Sequence, residues 1–132
     1  MSDLRKQLMI LAMFAAMVQT RAQAQEALAG DPVRGQQQFG PCTACHTVNP
    51  GGPNMTGPNL HGVIGKKAGT NQPDFAYSAE LKASGLIWTP ATLNTWITDP
   101  AALVPHTKMT YPGNAKASSR ANIIAYLEKV TN

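Results

Sequence analysis

Among its 132 residues the chain has two cysteines, and both stand in the run Cys42-Thr43-Ala44-Cys45-His46. Nothing else in the sequence restricts the fold as strongly, because C-x-x-C-H sets two thiols about one helical turn apart with an imidazole beside them. Three chemistries use such a run. A thioredoxin-like redox pair needs a βαβ setting, and no stretch here alternates convincingly as a strand. Half of a zinc site needs more thiolate or imidazole ligands close by, whereas His61 and His106 each stand alone in loop sequence. The third is covalent haem attachment, in which the thiols add to two vinyl groups on one porphyrin edge and the adjacent His46 reaches the iron from one face. The run is read as this third case.

The opening stretch places that chemistry in an export compartment. Arg5 and Lys6 precede an apolar run of 11 residues from Leu8 to Val18, followed by small residues ending in Ala22-Gln23-Ala24. This is the three-part layout of a secretory signal with an A-x-A cleavage site, and the run is shorter than the roughly 20 residues of a membrane-spanning helix. The expected division is 1–24 as a signal peptide cleaved after Ala24 and 25–132 as one folded domain in the periplasm. Cleavage leaves 108 residues with eight basic and six acidic side chains, so half of the full chain's formal charge of +4 belongs to the signal. The high pI is therefore no evidence for an acidic partner. A charged fraction of 14% and an aromatic fraction of 6%, with no basic cluster beside Phe or Tyr, also exclude a nucleic-acid module.

The rest of the sequence reads as a few helices separated by long loops. Asp31-Pro32 is a cap followed by proline at the first helical position, with Val33 and Phe39 as apolar contacts and Gly40-Pro41 as the stop. Residues 49–69 are rich in Gly, Pro and Asn and read as loop. Ser78 to Leu86 reads as a short helix closed by Gly85. Thr89-Pro90 repeats the start signal, and Leu93, Trp96 and Ile97 follow at helical spacing until Asp99-Pro100. A turn at 101–103 interrupts the loop that runs on to Gly113. Ser118 or Ser119 is the expected cap of a final helix whose apolar stripe is Ile123, Ile124, Tyr126, Leu127 and Val130. So little apolar material for 108 residues implies that something other than side chains fills the core, as a haem would.

One histidine leaves the second face of a haem iron open. The processed chain has two methionines, Met55 and Met109. Met55 lies nine residues after His46, in the loop leaving the attachment site, and is poorly placed to reach the far face. Met109 lies in Thr107-Lys108-Met109-Thr110-Tyr111-Pro112-Gly113, a proline-flanked loop suited to form a lid, although a core methionine has the same composition.

From about residue 30 to 132 the sequence resembles the class I cytochromes c, in the mitochondrial-like branch of bacterial soluble carriers. The resemblance rests on Gly35 and Phe39, the Cys42–His46 run, Gly57-Pro58-Asn59-Leu60-His61-Gly62, Tyr77, Trp88, Pro105, Thr107-Lys108-Met109 and Tyr126. It implies an all-α small cytochrome c fold wrapped around one haem c, bound covalently at Cys42 and Cys45. By the same resemblance His46 and Met109 are the axial ligands, and the Pro58 carbonyl accepts the other His46 ring proton. Tyr77 and Trp88 match residues that hydrogen-bond a haem propionate, Thr107 matches one beside the buried propionate edge, and Gly35 and Phe39 meet Ile123 and Tyr126 of the last helix.

The implied activity is one-electron transport in a respiratory or photosynthetic chain, not enzymatic turnover. The expected form is a monomer, not membrane-spanning once processed. Its donor would be a quinol-oxidising complex or a dehydrogenase, and its acceptor a terminal oxidase or reductase. The alternatives are a dedicated haem subunit of a periplasmic dehydrogenase or oxidase complex, or a peroxide- or gas-reactive haem protein. Three departures bear on the potential: Trp96 stands where many relatives carry Tyr, Leu81 where they carry Asn, and Lys66 where they carry Arg. The lysine ring of mitochondrial members is thinned, with Met55, Ala101 and Ala102 at matching positions and mainly Lys108 and Lys116 kept.

Overall fold

The computed structural model describes residues 4, 6–10 and 29–131. The expected cleavage site after Ala24, and most of the expected signal, lie outside the described residues. Residues 6–10 are helical, and Leu8, Met9 and Ile10 are exposed.

Five α-helices and one 3-10 turn follow in order: α1 (Pro32–Gln38), the 3-10 turn (Gly40–Ala44), α2 (Ala79–Ala83), α3 (Pro90–Thr98), α4 (Pro100–Leu103) and α5 (Ala117–Thr131). Three of the helices begin where the sequence signals a start, and a fourth, α4, begins at Asp99-Pro100, which in the sequence reads only as the stop of the helix before it. Asp31 Oδ1 accepts from the Val33 and Arg34 amides of α1, and Ser78 Oγ accepts from the Leu81 amide of α2. Thr89 and Thr92 form a reciprocal capping box on α3, and Asp99 Oδ1 accepts from the Ala102 amide of α4. Each side-chain oxygen satisfies amide donors that a helix start otherwise leaves unpaired.

The start of α5 corrects the sequence reading. Ser118 and Ser119 lie inside the helix, which begins at Ala117. The preceding bend is organised by Asn114 instead: its Oδ1 accepts from the Lys116 amide, its Nδ2 donates to Ser119 Oγ, and its carbonyl accepts from Arg120. A polar side chain bonding backbone two residues on competes with a serine cap and here replaces it. Val33 is a second correction. It is 64% exposed, because the buried face of α1 is the one bearing Gly35.

Packing centres on the crossing of α1 over α5. A Cβ on Gly35 would lie 1.9 Å from the Asn122 carbonyl oxygen, so only glycine lets the two backbones meet there. Asn122 then joins the helices on both sides, accepting from the Asp31 amide at 2.7 Å and donating to Gln38 Oε1 at 3.1 Å. Phe39 and Tyr126 stack at 5.4 Å beyond the crossing. Ile123, Ile124 and Leu127 of α5 and Leu93, Trp96 and Ile97 of α3 complete a buried cluster.

The long loops close the rest. Among the described residues the only β pairing is the single antiparallel bridge Lys67–Ile87, flanked by bonds from Ala68 N–H to Leu86 O and from Trp88 N–H to Lys66 O. That tie fixes Trp88, which packs edge-on against Trp96 with centroids 5.3 Å apart. The architecture is the expected one: all-α, few helices, long loops.

Candidate functional site

The loops and helices enclose a cavity of about 400 Å³. Cys42, Cys45, His46, Pro58, Tyr77, Trp88 and Met109 all line it, although they are spread over 67 sequence positions. Its walls are otherwise mainly apolar, with Phe39, Leu60, Val63, Leu93, Ile97 and Leu127 among them.

The cysteine run is a 3-10 turn in which Cys42 O accepts from both the Cys45 and His46 amides, at 3.1 and 2.9 Å. Both thiols are half-buried and neither is in a disulfide. Burial raises the Cys42 thiol above its ordinary pKa, and the Cys45 charge adds to this while a backbone hydrogen bond opposes it.

The imidazole of His46 is oriented by a single strong contact. Nδ1 lies 2.7 Å from the Pro58 carbonyl oxygen. A carbonyl only accepts, so Nδ1 carries the proton and, in the neutral ring, Nε2 carries the lone pair. Burial lowers the His46 pKa, outweighing the Pro58 carbonyl, which raises it; the environment therefore favours the neutral, metal-ligating form. Pro58 is in turn held by its neighbours. Gly57 N–H donates to Cys45 O at 2.9 Å, and a Cβ on Gly57 would stand 2.3 Å from His46 Cε1. The ring thus lies directly on the glycine backbone.

A role missed in the sequence belongs to Asn59, which is 2% exposed. Its Nδ2 donates to Thr47 Oγ1 and to Asn49 O, its Oδ1 accepts from the His61 amide, and its own amide donates to Asn54 Oδ1, all within 2.6–2.9 Å. The residue was visible in the Gly57–Gly62 block, but its four bonds depend on a loop path that no local pattern specifies.

On the remaining wall Tyr77 Oη accepts from the Gln72 amide at 3.0 Å, which leaves the phenol proton free to donate into the cavity. Burial raises that phenol's pKa, so it stays protonated at neutral pH. Met109 is half-buried. Its amide stands 3.5 Å from Thr107 Oγ1, and Thr107 itself lies outside the lining. Lys108 Nζ donates to Ala76 O at 2.9 Å and bridges the Met109 loop to the 70s loop. Met55, by contrast, is 44% exposed and away from the cavity. Tyr111, not singled out in the sequence, also lines the cavity; burial and then the nearby Cys42 charge raise its pKa.

This donor set fits a haem and not a bare ion. Two thiols, one imidazole nitrogen and one thioether meet at a largely apolar chamber, and among the described residues no three His, Cys, Asp or Glu side chains gather as a metal-ion site. The zinc alternative lacks ligands, and the thioredoxin alternative lacks a sheet.

Fold and site together define a monohaem c-type cytochrome. The sequence profile of the family described as Cytochrome c matches residues 32–131, and the chain belongs to that family. The chain is 50% identical over 101 residues to cytochrome c2 of Rhodoblastus acidophilus, covering 76% of this chain and 94% of the relative. It is 46% identical over 100 residues to cytochrome c2 of Rhodopila globiformis, covering 75% and 92%. Among solved structures it is similar to cytochrome cH from Methylobacterium extorquens, with a TM-score of 0.72, 44% identity, and coverage of 76% of this chain and 99% of the other. It is a one-electron carrier with a single covalently bound haem c.

Proposed function

We propose that Cys42 and Cys45 hold the haem through thioethers, that His46 Nε2 and Met109 Sδ are its axial ligands, and that the carrier passes electrons by brief collisions with larger redox proteins. A bound haem c supplies the one-electron ferric/ferrous couple. The observation that carries the reading is the Nδ1–Pro58 contact, since a histidine whose Nδ1 proton is committed to a carbonyl at 2.7 Å presents Nε2 as a ligand in a fixed orientation. The protonated Tyr77 phenol and the Trp88 indole are the donors for a propionate. Thr107 acts from behind, holding the Met109 amide.

The ligand assignment is tested by two substitutions in the holoprotein. Thioether ligation favours ferrous iron. Met109→Ala is expected to lower the reduction potential markedly and to admit cyanide quickly, with Met55→Ala unchanged. The reverse result overturns the assignment.

As partners, a quinol-oxidising complex or a dehydrogenase on the donor side and a terminal oxidase or reductase on the acceptor side suit a carrier of this kind, in either a respiratory or a photosynthetic chain. A cleaved signal over 1–24 accounts for delivery to the compartment, and the exposed Leu8, Met9 and Ile10 make no core contact with the domain. Intact-mass measurement of periplasmic protein is expected to show a chain beginning at Gln25; protein containing Met1 in the membrane fraction would overturn cleavage.

A further inference from the structure

The turn that introduces Met109 is built in an uncommon way. Thr107 N–H donates to Val104 O at 3.2 Å and closes the four residues Val104-Pro105-His106-Thr107. Proline at the second position and a positive φ at the third mark a type II turn, whose third residue is ordinarily glycine or asparagine. Here it is a histidine. His106 has φ 65° and is the only non-glycine residue with positive φ among the described residues. In that region the Cβ crowds the following carbonyl oxygen, which weights the equilibrium against the folded turn by about fivefold or more, the equivalent of about 1 kcal/mol.

No polar contact of the ring offsets this strain, although His106 borders a surface hollow with Glu80 and Ser84. His106 is exposed, and among the described residues its ring enters no hydrogen bond or ion pair. The turn also sits at a boundary. On the upstream side Val104 is buried and its amide donates to Pro100 O at 2.9 Å. On the downstream side the Met109 side chain packs against the core, and the polar contacts as far as Met109 are the long Met109–Thr107 bond at 3.5 Å within the segment and the exposed Lys108–Ala76 bond at 2.9 Å to the rest of the fold. Strain at such a boundary acts on the weaker side.

We propose that His106 is a positioning residue for Met109: its left-handed backbone keeps the segment from 105 to 110 near release, so that Met109 gives way to an incoming iron ligand more readily than in the same loop with glycine at 106. This inference rests on Met109 as the sixth ligand. It adds that the lability of the sulfur is set by a backbone angle three residues away and not by the ligand alone.

Cyanide binding to the ferric holoprotein is the test, because cyanide reaches the iron when Met109 is away and its rate follows the open fraction. His106→Gly removes the strain and is expected to slow binding about fivefold. His106→Asn keeps a Cβ but tolerates the left-handed region, and is expected to fall between glycine and the natural residue. His106→Ala keeps the strain and removes the imidazole, so its rate is expected to stay within about twofold of the natural chain. Hydrogen exchange of the Thr107 amide, which closes the turn, is expected to slow in His106→Gly by the same factor as cyanide binding.

Two results overturn the proposal: a glycine variant no slower in either measurement, or an alanine variant as slow as glycine, which would assign the effect to the ring. Met109→Ala, measured alongside, separates the two layers. If it binds cyanide no faster than the natural chain, the ligand assignment fails; if it binds fast while His106→Gly is unchanged, only the role of His106 fails.

Discussion

The two walls that carry His46 and Met109, the proposed iron ligands, are held by different means. On the His46 side the imidazole lies on the Gly57 backbone, Nδ1 is bonded to Pro58 at 2.7 Å, and buried Asn59 joins four segments of the same loop. On the Met109 side Met109 and Tyr111 pack against the core, but the polar supports are one long amide–hydroxyl contact and one exposed lysine tie beside a strained turn. Buried bonds in a low-dielectric surround hold their partners firmly, whereas exposed ones compete with water. One ligand is therefore fixed by the fold and the other only leans on it, and an electron carrier can be rigid at one pole while exchange is possible at the other.

The largest expected effect removes both walls at once. Cys42→Ser combined with Cys45→Ser abolishes thioether attachment, and circular dichroism is expected to show largely unfolded apoprotein, since the haem fills the chamber between the walls. A compact, helical double variant would mean that the apolar walls hold themselves together.

Next in size is an attack on the firm wall. Asn59→Ala leaves the Thr47 hydroxyl, the Asn49 carbonyl and the His61 amide without their partner, and denaturant titration is expected to show a loss of about 2–3 kcal/mol. Cutting the tie of the leaning wall costs less. Lys108→Gln is expected to speed ferric cyanide binding by about fivefold, the value of about one net hydrogen bond, with global stability nearly unchanged. If the two variants showed the same pattern in both measurements, the contrast between the walls would be lost.

The smallest effect concerns partners. The Lys108 ammonium keeps its charge but is tethered to Ala76 O, and with Lys116 it makes only two cations kept from the lysine ring by resemblance. Met55, Ala101 and Ala102, which match lysine-ring positions by resemblance, are exposed, and an edge bordered by them suits a small, transient and largely apolar contact. Stopped-flow electron transfer to the native partner is expected to change little from low to high salt, and Ala101→Glu to slow it more than Lys116→Gln. A fall beyond about tenfold would show that steering dominates.

Sequence patterns announced what is local. Asp31-Pro32 and Thr89-Pro90 each pair a capping oxygen with a preset φ and each opens a helix, while Asp99-Pro100, read as a stop, both ends α3 and opens α4. The cysteine run exposed the attachment chemistry because its spacing is itself the chemistry. What stayed hidden depends on the far end of a contact. Val33 followed the apolar spacing of α1 yet faces water, because Gly35 and not Val33 meets α5. Nothing local announced that the Lys108 ammonium would reach Ala76, 32 positions away. The left-handed angle of His106 is set by the turn's closure, and histidine does not advertise it as glycine would.

The crossing of α1 over α5 also carries information about time. The Asp31–Asn122 bond spans 91 positions, and the Gly62 amide reaches Thr131 O at 2.7 Å. A chain that emerges from its N-terminal side therefore has α1 made before the helix that packs on it exists. The α1 face bearing Gly35 stays open for as long as residues 117–131 are still to come, so the contact that closes the domain is also the last for which the chain supplies both sides.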